Sequence, residues 1–333
     1  MNVIEGKDLR TGTENREKLQ DSIPLDTPYV LFIEPTSICN MSCKFCPTGD
    51  KSLRKIRPNG IMSWEIYLKL IKDIKDFNKK LKRINFYKDG ESLLNINFCK
   101  MVNLAKEEKI SESLWLKTNG LLLNPELNQN LINSGLDMIG ISVVHVTSDG
   151  YKKISGIHID YEKLKNNIKD LYNKKDNCKI YIKLAEIGFT QSERDKFFND
   201  FGNICDYIAI EGLHGWSKSY VKDFTMGTNS KSLDGIPFIK KTVCPWPFYE
   251  LAINWNGTVS LCNEDWSHGT LIGDIHAESL KDIWNGEKIY NIQKMMLEGT
   301  REKHPVCGDC FYVSCAPDNI DEYRLQILEK IKK

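Results

Sequence analysis

The sequence predicts an α/β protein: an open, partial barrel of six strand–helix units, (β/α)6 of TIM type, followed by a small second domain of β-hairpin, helix and Cys-rich loop. Three observations carry this. From Pro28 to about Ser217, short β-branched or aromatic runs alternate with helical patterns, which argues for a parallel sheet with right-handed crossovers. Six such units fall short of the eight that close a barrel. Then "HGWSKSYVKDFTMGTNSKSLDGIPF", rich in Gly, Ser and Lys, interrupts the alternation, which does not resume.

The strands are expected at "YVLFIE", "RINFYK", "LWLKT", "MIGISVV", "KIYIKLAE" and "YIAIEG". Between the first two, Ser63 caps a helix with Glu65 in its first turn and Ile66, Leu70, Ile74 and Phe77 at helical spacing. Asp160 caps another, with Leu164, Ile168 and Leu171 on one face. Past the linker, "ELAINWNGTVSLC" reads as a hairpin about Asn256-Gly257, a pair suited to a type I′ turn, and it delivers Cys262. One helix is expected over "SLKDIWNGEKIYNIQKMML", and Ile320, Tyr323, Ile327 and Ile331 mark a terminal one. The expected divisions are an N-terminal extension (1–27), the barrel (28–225), the second domain (236–318) and a C-terminal helix (319–333).

The 333 residues carry 46 Lys+Arg against 45 Asp+Glu, so there is no basic field to gather nucleic acid or an acidic membrane. The lysine-rich "KLKNNIKDLYNKKDNCK" reads as a solvated helix face. There is no signal-peptide pattern and no apolar run of about 18 residues, so a cytoplasmic protein is expected. Eleven cysteines in that compartment are kept reduced, which makes metal ligation their leading explanation. Cys99, Cys178 and Cys205 stand alone in apolar surroundings and read as small core residues.

The other eight fall into two groups. In "TSICNMSCKFCPTG", Cys39, Cys43 and Cys46 offer three thiolates from one loop, enough for three corners of a [4Fe–4S] cubane and leaving its fourth iron open. Structural zinc wants a closed tetrahedron, and no neighbouring His or Cys closes one. This C-x3-C-x2-C spacing after a first barrel strand resembles the radical S-adenosylmethionine (SAM) superfamily. The resemblance implies that the open iron chelates SAM, whose reductive cleavage gives a 5′-deoxyadenosyl radical. It extends over residues 28 to 318. "YKDGESLLN" is similar to the family's Gly-Glu motif, which implies that Gly90 and Glu91 meet the methionyl ammonium. By position, Thr118, Asn119 and Ser142 match residues used for ribose and carboxylate, Lys183 one that neutralises the SAM carboxylate, and Phe45 an aromatic lying against adenine.

The second group, Cys244, Cys262 and "CGDCFYVSC", resembles the SPASM/Twitch extension that binds auxiliary iron–sulfur clusters. A full SPASM domain has seven cysteines. Five here imply one auxiliary [4Fe–4S] cluster, on Cys244, Cys262, Cys307 and Cys310. Cys315 is then a replacement fourth ligand, a hydrogen-atom donor or a packed residue. A zinc ribbon is the alternative, but ribbons pair two C-x2-C knuckles and one is present. Glu264 and Asp265, directly after a cluster cysteine, are candidate general bases. His214 and Trp216, after the sixth strand, are candidates to contact substrate.

The resemblance implies a SAM-dependent enzyme with a one-electron reductant such as flavodoxin or ferredoxin. The expected reaction is oxidation of a carbinol in a sugar, aminocyclitol or polyol, with a small-molecule substrate. Epimerisation with Cys315 as hydrogen donor, modification of a peptide, and a non-enzymatic cluster scaffold are the alternatives. Only about 27 residues precede the first strand, so a peptide would need a separate recognition protein.

Overall fold

The computed structural model describes residues 17–213, 226 and 238–332. Its frame is one sheet of nine strands. Six parallel strands, β1 (Val30–Ile33), β2 (Arg83–Asn85), β3 (Leu114–Thr118), β4 (Met138–Val143), β5 (Lys179–Ala185) and β6 (Tyr207–Glu211), lie in chain order. Helices connect them: α2 (Trp64–Lys75), α3 (Phe98–Glu107), α4 (Pro125–Asn133), α5 (Ser148–Ser155) with α6 (Tyr161–Lys174), and α7 (Gln191–Phe201). A short α1 (Leu19–Ser22) precedes β1. This is the open six-stranded barrel that the alternation predicts.

Local chemistry starts the helices as expected. Ser63 accepts from Ile66 N and Asp160 from Lys163 N, while Thr190 and Glu193 form a reciprocal capping box on α7. One face of the sheet, with Leu31, Ile33, Ile84, Leu116, Ile141 and Ile182, packs on the helices, where Leu164, Ile168 and Leu171 of α6 are buried. The other face carries Phe32 and Tyr87 in edge-to-face contact, with Met138, Tyr181 and Ala209 beyond them. Strands buried on both faces read as near-continuous apolar runs, which is why "YVLFIE" shows no alternation.

The C-terminal part does not form a separate sheet. β7 (Glu250–Ile253) pairs in parallel with β1, and β8 (Thr258–Ser260) and β9 (Leu271–Asp274) follow antiparallel, so the hairpin covers the open edge of β1. The hairpin turn also differs from expectation. Gly257 has φ 86°, but Asn256 does not take a positive φ, as type I′ requires; a turn from Asn254 that ends on the left-handed Gly257 closes it. The single helix expected over 279–297 is two, α8 (Leu280–Trp284) and α9 (Glu287–Leu297). Asn285-Gly286 breaks it, with Gly286 as the extended N-cap of α9. A final helix, α10 (Arg324–Ile331), buries Ile327 and Ile331 while Tyr323 stays exposed.

Candidate functional site

Cys39, Cys43 and Cys46 sit on the loop that leaves β1. Its two arms are tied together: Ser37 N donates to Gly60 O at 3.0 Å, and Met62 N to Pro35 O at 2.9 Å. Its far side is tied to the end of α5, where Ser42 N donates to Ser155 O and Lys44 N to Ile154 O. Within the loop Cys46 N reaches Cys43 O at 3.1 Å, and Gly49 packs so closely that an added Cβ would lie 2.5 Å from Cys43 O. Burial pushes the Cys39 thiol up to about 12, and Cys43 and Cys46 also rise. Charge on Cys46 opposes ionisation of both Cys39 and Cys43. Among the described residues, no three His, Cys, Asp or Glu groups close on a point as they would around a single metal ion. Three buried or half-buried thiols on one tied loop fit a multi-iron cluster, which takes up their sulfurs as thiolates.

The Gly-Glu pair is stitched to this loop. Glu91 N donates to Ile38 O at 2.9 Å, and a Cβ on Gly90 would lie 2.1 Å from Thr36 O, so only glycine allows the approach. The Glu91 carboxylate is buried. It accepts from Thr118 Oγ1 at 2.7 Å, Asn119 N at 2.7 Å and Leu93 N at 3.2 Å. Burial raises its pKa, and these hydrogen bonds oppose the rise. Asn119 Nδ2 donates to Asn40 Oδ1 at 2.7 Å and stands 4.0 Å from Cys39 Sγ. Cys39, Glu91, Thr118 and Asn119 are thus gathered at one place.

Ser142 and Lys183 lie opposite each other on β4 and β5. Lys183 Nζ pairs with Oε2 of the buried Glu211 at 2.6 Å, and Tyr181 donates to Oε1 at 2.5 Å. Phe45 is half-buried and packs against the core under the helices. His214 and Trp216 lie outside the described residues.

The second cysteine group also comes together. Cys244, Cys262, Cys307 and Cys310 line one cavity, with Arg301, Trp246 and Tyr312 in its wall. His304 Nδ1 accepts from Val306 N and Cys307 N, and Cys310 N reaches Cys307 O, which shapes the knuckle. Burial raises all four thiols, Cys307 to about 12 and Cys310 to about 11, and the charge of other cysteines or of nearby acids raises each further. Cys315 ends the short helical turn Phe311–Cys315 and does not line this cavity. Its charge is felt by buried Lys241, which donates to Ala316 O at 2.6 Å.

Glu264 and Asp265 are both buried, and their surroundings separate them. Asp265 accepts from Gly269 N at 2.8 Å and Thr270 N at 2.9 Å, closing its own loop. Glu264 accepts from Asn263 Nδ2 at 2.8 Å, and its charge reaches Cys310.

One feature carries no signal in the sequence. Arg57 Nη1 lies 3.5 Å from Glu34 Oε1, 3.2 Å from Asp89 Oδ2 and 3.3 Å from His268 Nε2, and Lys88 pairs with Asp89 while donating to Asp265 O at 3.1 Å. These charges come from four distant segments. They lock the loop after Cys262 onto the Gly-Glu segment.

Comparison with known proteins matches residues 33–197 to the Radical SAM superfamily and residues 244–311 to the SPASM iron–sulfur cluster-binding domain. The S-adenosyl-L-methionine-dependent 2-deoxy-scyllo-inosamine dehydrogenase of Niallia circulans is 23% identical over 295 residues, 88% of this chain and 96% of the relative. The tungsten-containing aldehyde ferredoxin oxidoreductase cofactor-modifying protein of Pyrococcus furiosus is 23% identical over 322 residues, 84% and 86% of the two chains. Among solved structures, BtrN in complex with AdoMet and 2-DOIA aligns with TM-score 0.55 at 21% identity over 88% of this chain and 97% of that one. Streptococcus suis SuiB bound to S-adenosylmethionine aligns with TM-score 0.61 at 13% identity over 82% and 69%. At these identities the structural likeness is one of fold.

Proposed function

We propose, for a chain that belongs to the radical SAM superfamily and carries a SPASM iron–sulfur cluster-binding domain, that it oxidises a carbinol of a sugar, aminocyclitol or other polyol. The enzyme is a radical SAM oxidoreductase whose cofactors are SAM, a SAM-binding [4Fe–4S] cluster and an auxiliary [4Fe–4S] cluster. When bound, SAM and its cluster supply a hydrogen-abstracting 5′-deoxyadenosyl radical; the substrate's remaining proton and electron must then find acceptors.

The residues present fit both clusters. Cys39, Cys43 and Cys46 would hold the first, and Cys244, Cys262, Cys307 and Cys310 the second. Glu91 receives the methionyl ammonium, and Thr118 and Asn119 N–H hold its carboxylate in one orientation. Ser142 and Lys183 serve the ribose and carboxylate of SAM, with Glu211 steadying the lysine, and Phe45 borders the adenine. Glu264 or Asp265 takes the hydroxyl proton.

The observation that carries oxidation is the gathering of four cysteines around one cavity beside Glu264, which gives the electron and the proton neighbouring destinations. The Niallia dehydrogenase, similar over nearly its whole length, supports an aminocyclitol-like substrate. We place the enzyme in the cytoplasm, reduced by a flavodoxin or ferredoxin; among the described residues no helix is long and apolar enough to cross a membrane. The test is anaerobic incubation with SAM, a strong reductant and a panel of aminocyclitols and sugars. Equal amounts of 5′-deoxyadenosine and ketone are expected; SAM cleavage with an unoxidised, epimerised product would overturn the reading.

A further inference from the structure

Among the described residues, Arg301 is the one charged side chain lining the cavity of Cys244, Cys262, Cys307 and Cys310. Neutral backbone acceptors fix its guanidinium. Nη1 donates to the carbonyls of Cys307 and, at 3.0 Å, Gly308, and Nε donates to Thr242 O at 3.3 Å. No carboxylate pairs with it among the described residues. Its charge lines the same cavity as the four thiols.

We propose that Arg301 sets the electron affinity of the auxiliary cluster: held against the Cys307 knuckle, its fixed cation raises the cluster's midpoint potential. This inference rests on the reading that these four cysteines hold that cluster. A cluster ligated by four thiolates is anionic and becomes more so on reduction, so a nearby cation stabilises the reduced form more than the oxidised one. Net charge and hydrogen bonding around an iron–sulfur site are the protein's levers on its potential. Arg301 supplies a charge where a dehydrogenation needs an electron acceptor. It acts through the cluster and is a positioning residue.

The test is an EPR-monitored redox titration of the reconstituted full-length chain in a Cys39/Cys43/Cys46→Ala background, which isolates the auxiliary cluster. Arg301→Gln keeps an amide to bond the carbonyls and removes the charge; Arg301→Lys keeps the charge and loses the planar fork. The expected result is a midpoint lowered in the Gln variant by about a tenfold change in the reduction equilibrium, ~59 mV for one electron, with the Lys variant close to the parent. A Gln variant with full iron and the parental midpoint overturns the proposal. So does one that cannot hold the cluster, because the clamp on Cys307 and Gly308 would then be the role of Arg301. If the parent background itself gives no cluster signal, the reading of the four cysteines fails instead, a result separable from either.

Discussion

The hydroxyl of Thr118, at the end of β3, donates to Oε1 of Glu91 at 2.7 Å, while the next residue's N–H reaches Oε2 at 2.7 Å. A carboxylate has about four acceptor positions. Three are taken, by Thr118, Asn119 and Leu93, and the group is aimed from two sides. Glu91→Gln is therefore expected to weaken SAM binding by about 1.5–3 kcal/mol, the worth of a charge-assisted hydrogen bond. Thr118→Val should cost about 1 kcal/mol through lost orientation. Calorimetric SAM titration with iron content held equal checks both; unchanged affinity in Glu91→Gln would mean that the segment is only a turn.

Gly90 sets how closely that segment meets the cluster loop. An added Cβ would lie 2.1 Å from Thr36 O and 2.7 Å from Ile38 O, both backbone atoms that cannot swing aside. Gly90→Ala is expected to lose about 1–3 kcal/mol of stability and to bind SAM more weakly, as seen by denaturant unfolding and SAM titration. A variant with parental values in both would show that the two segments can separate without cost.

His268 gives the buried charge cluster a pH signature. Burial, then the charges of Lys88 and Arg57, push its pKa down to about 4 from 6.5. Below the folded value both folded and unfolded states hold the proton, and between about 4 and 6.5 the unfolded chain binds more protons. Stability linked to His268 thus rises as pH rises through that window and is level above it. His268→Gln should flatten the stability profile between pH ~4 and ~6.5, by on the order of 1–3 kcal/mol. A variant profile parallel to the parent's in anaerobic denaturant melts would remove His268 from the cluster's electrostatics.

The parallel frame and both cysteine groups were legible in the sequence because their signals are local: β-branched runs, caps at Ser63 and Asp160, and ligand spacing. What was not legible is long-range. Nothing in "ELAIN" announces that β7 pairs with β1, since a buried strand reads alike at any sheet position. The split of α8 from α9 was signalled by Asn285-Gly286 and outweighed by the helical pattern around it. Arg57 and Arg301 look like surface charges in sequence. Only folding sets Arg57 beside Glu34, Asp89 and His268, or Arg301 against the cysteine knuckle.

Iron content tests the division of the second group. Cys310 lines the cavity with Cys244, Cys262 and Cys307, whereas Cys315 stands by Lys241. The reconstituted parent should hold about eight irons, and the Cys39/Cys43/Cys46→Ala chain about four. Cys310→Ala should fall to about four as well, with Cys315→Ala near the parent. Loss of the auxiliary cluster from Cys315→Ala alone would exchange the roles of these two cysteines.

Solvent hydrogen separates oxidation from epimerisation. Oxidation removes the carbinol hydrogen, the hydroxyl proton and one further electron, so nothing is returned to the reacting carbon. Epimerisation must replace the abstracted atom, and a thiol that did so would exchange its own proton with water first. In deuterium oxide the oxidised product should therefore carry no deuterium at that carbon, whereas an epimer would gain one. Because Cys315 lies outside the cavity of the other four cysteines, Cys315→Ala is expected to keep substantial activity together with both clusters. If that variant retains its clusters and still cleaves SAM but forms no product, while the parent incorporates solvent deuterium, Cys315 is the hydrogen donor and the enzyme an epimerase. Turnover by the variant with an unlabelled ketone would leave the electron no destination better placed than the cysteine cavity beside Glu264 and Arg301.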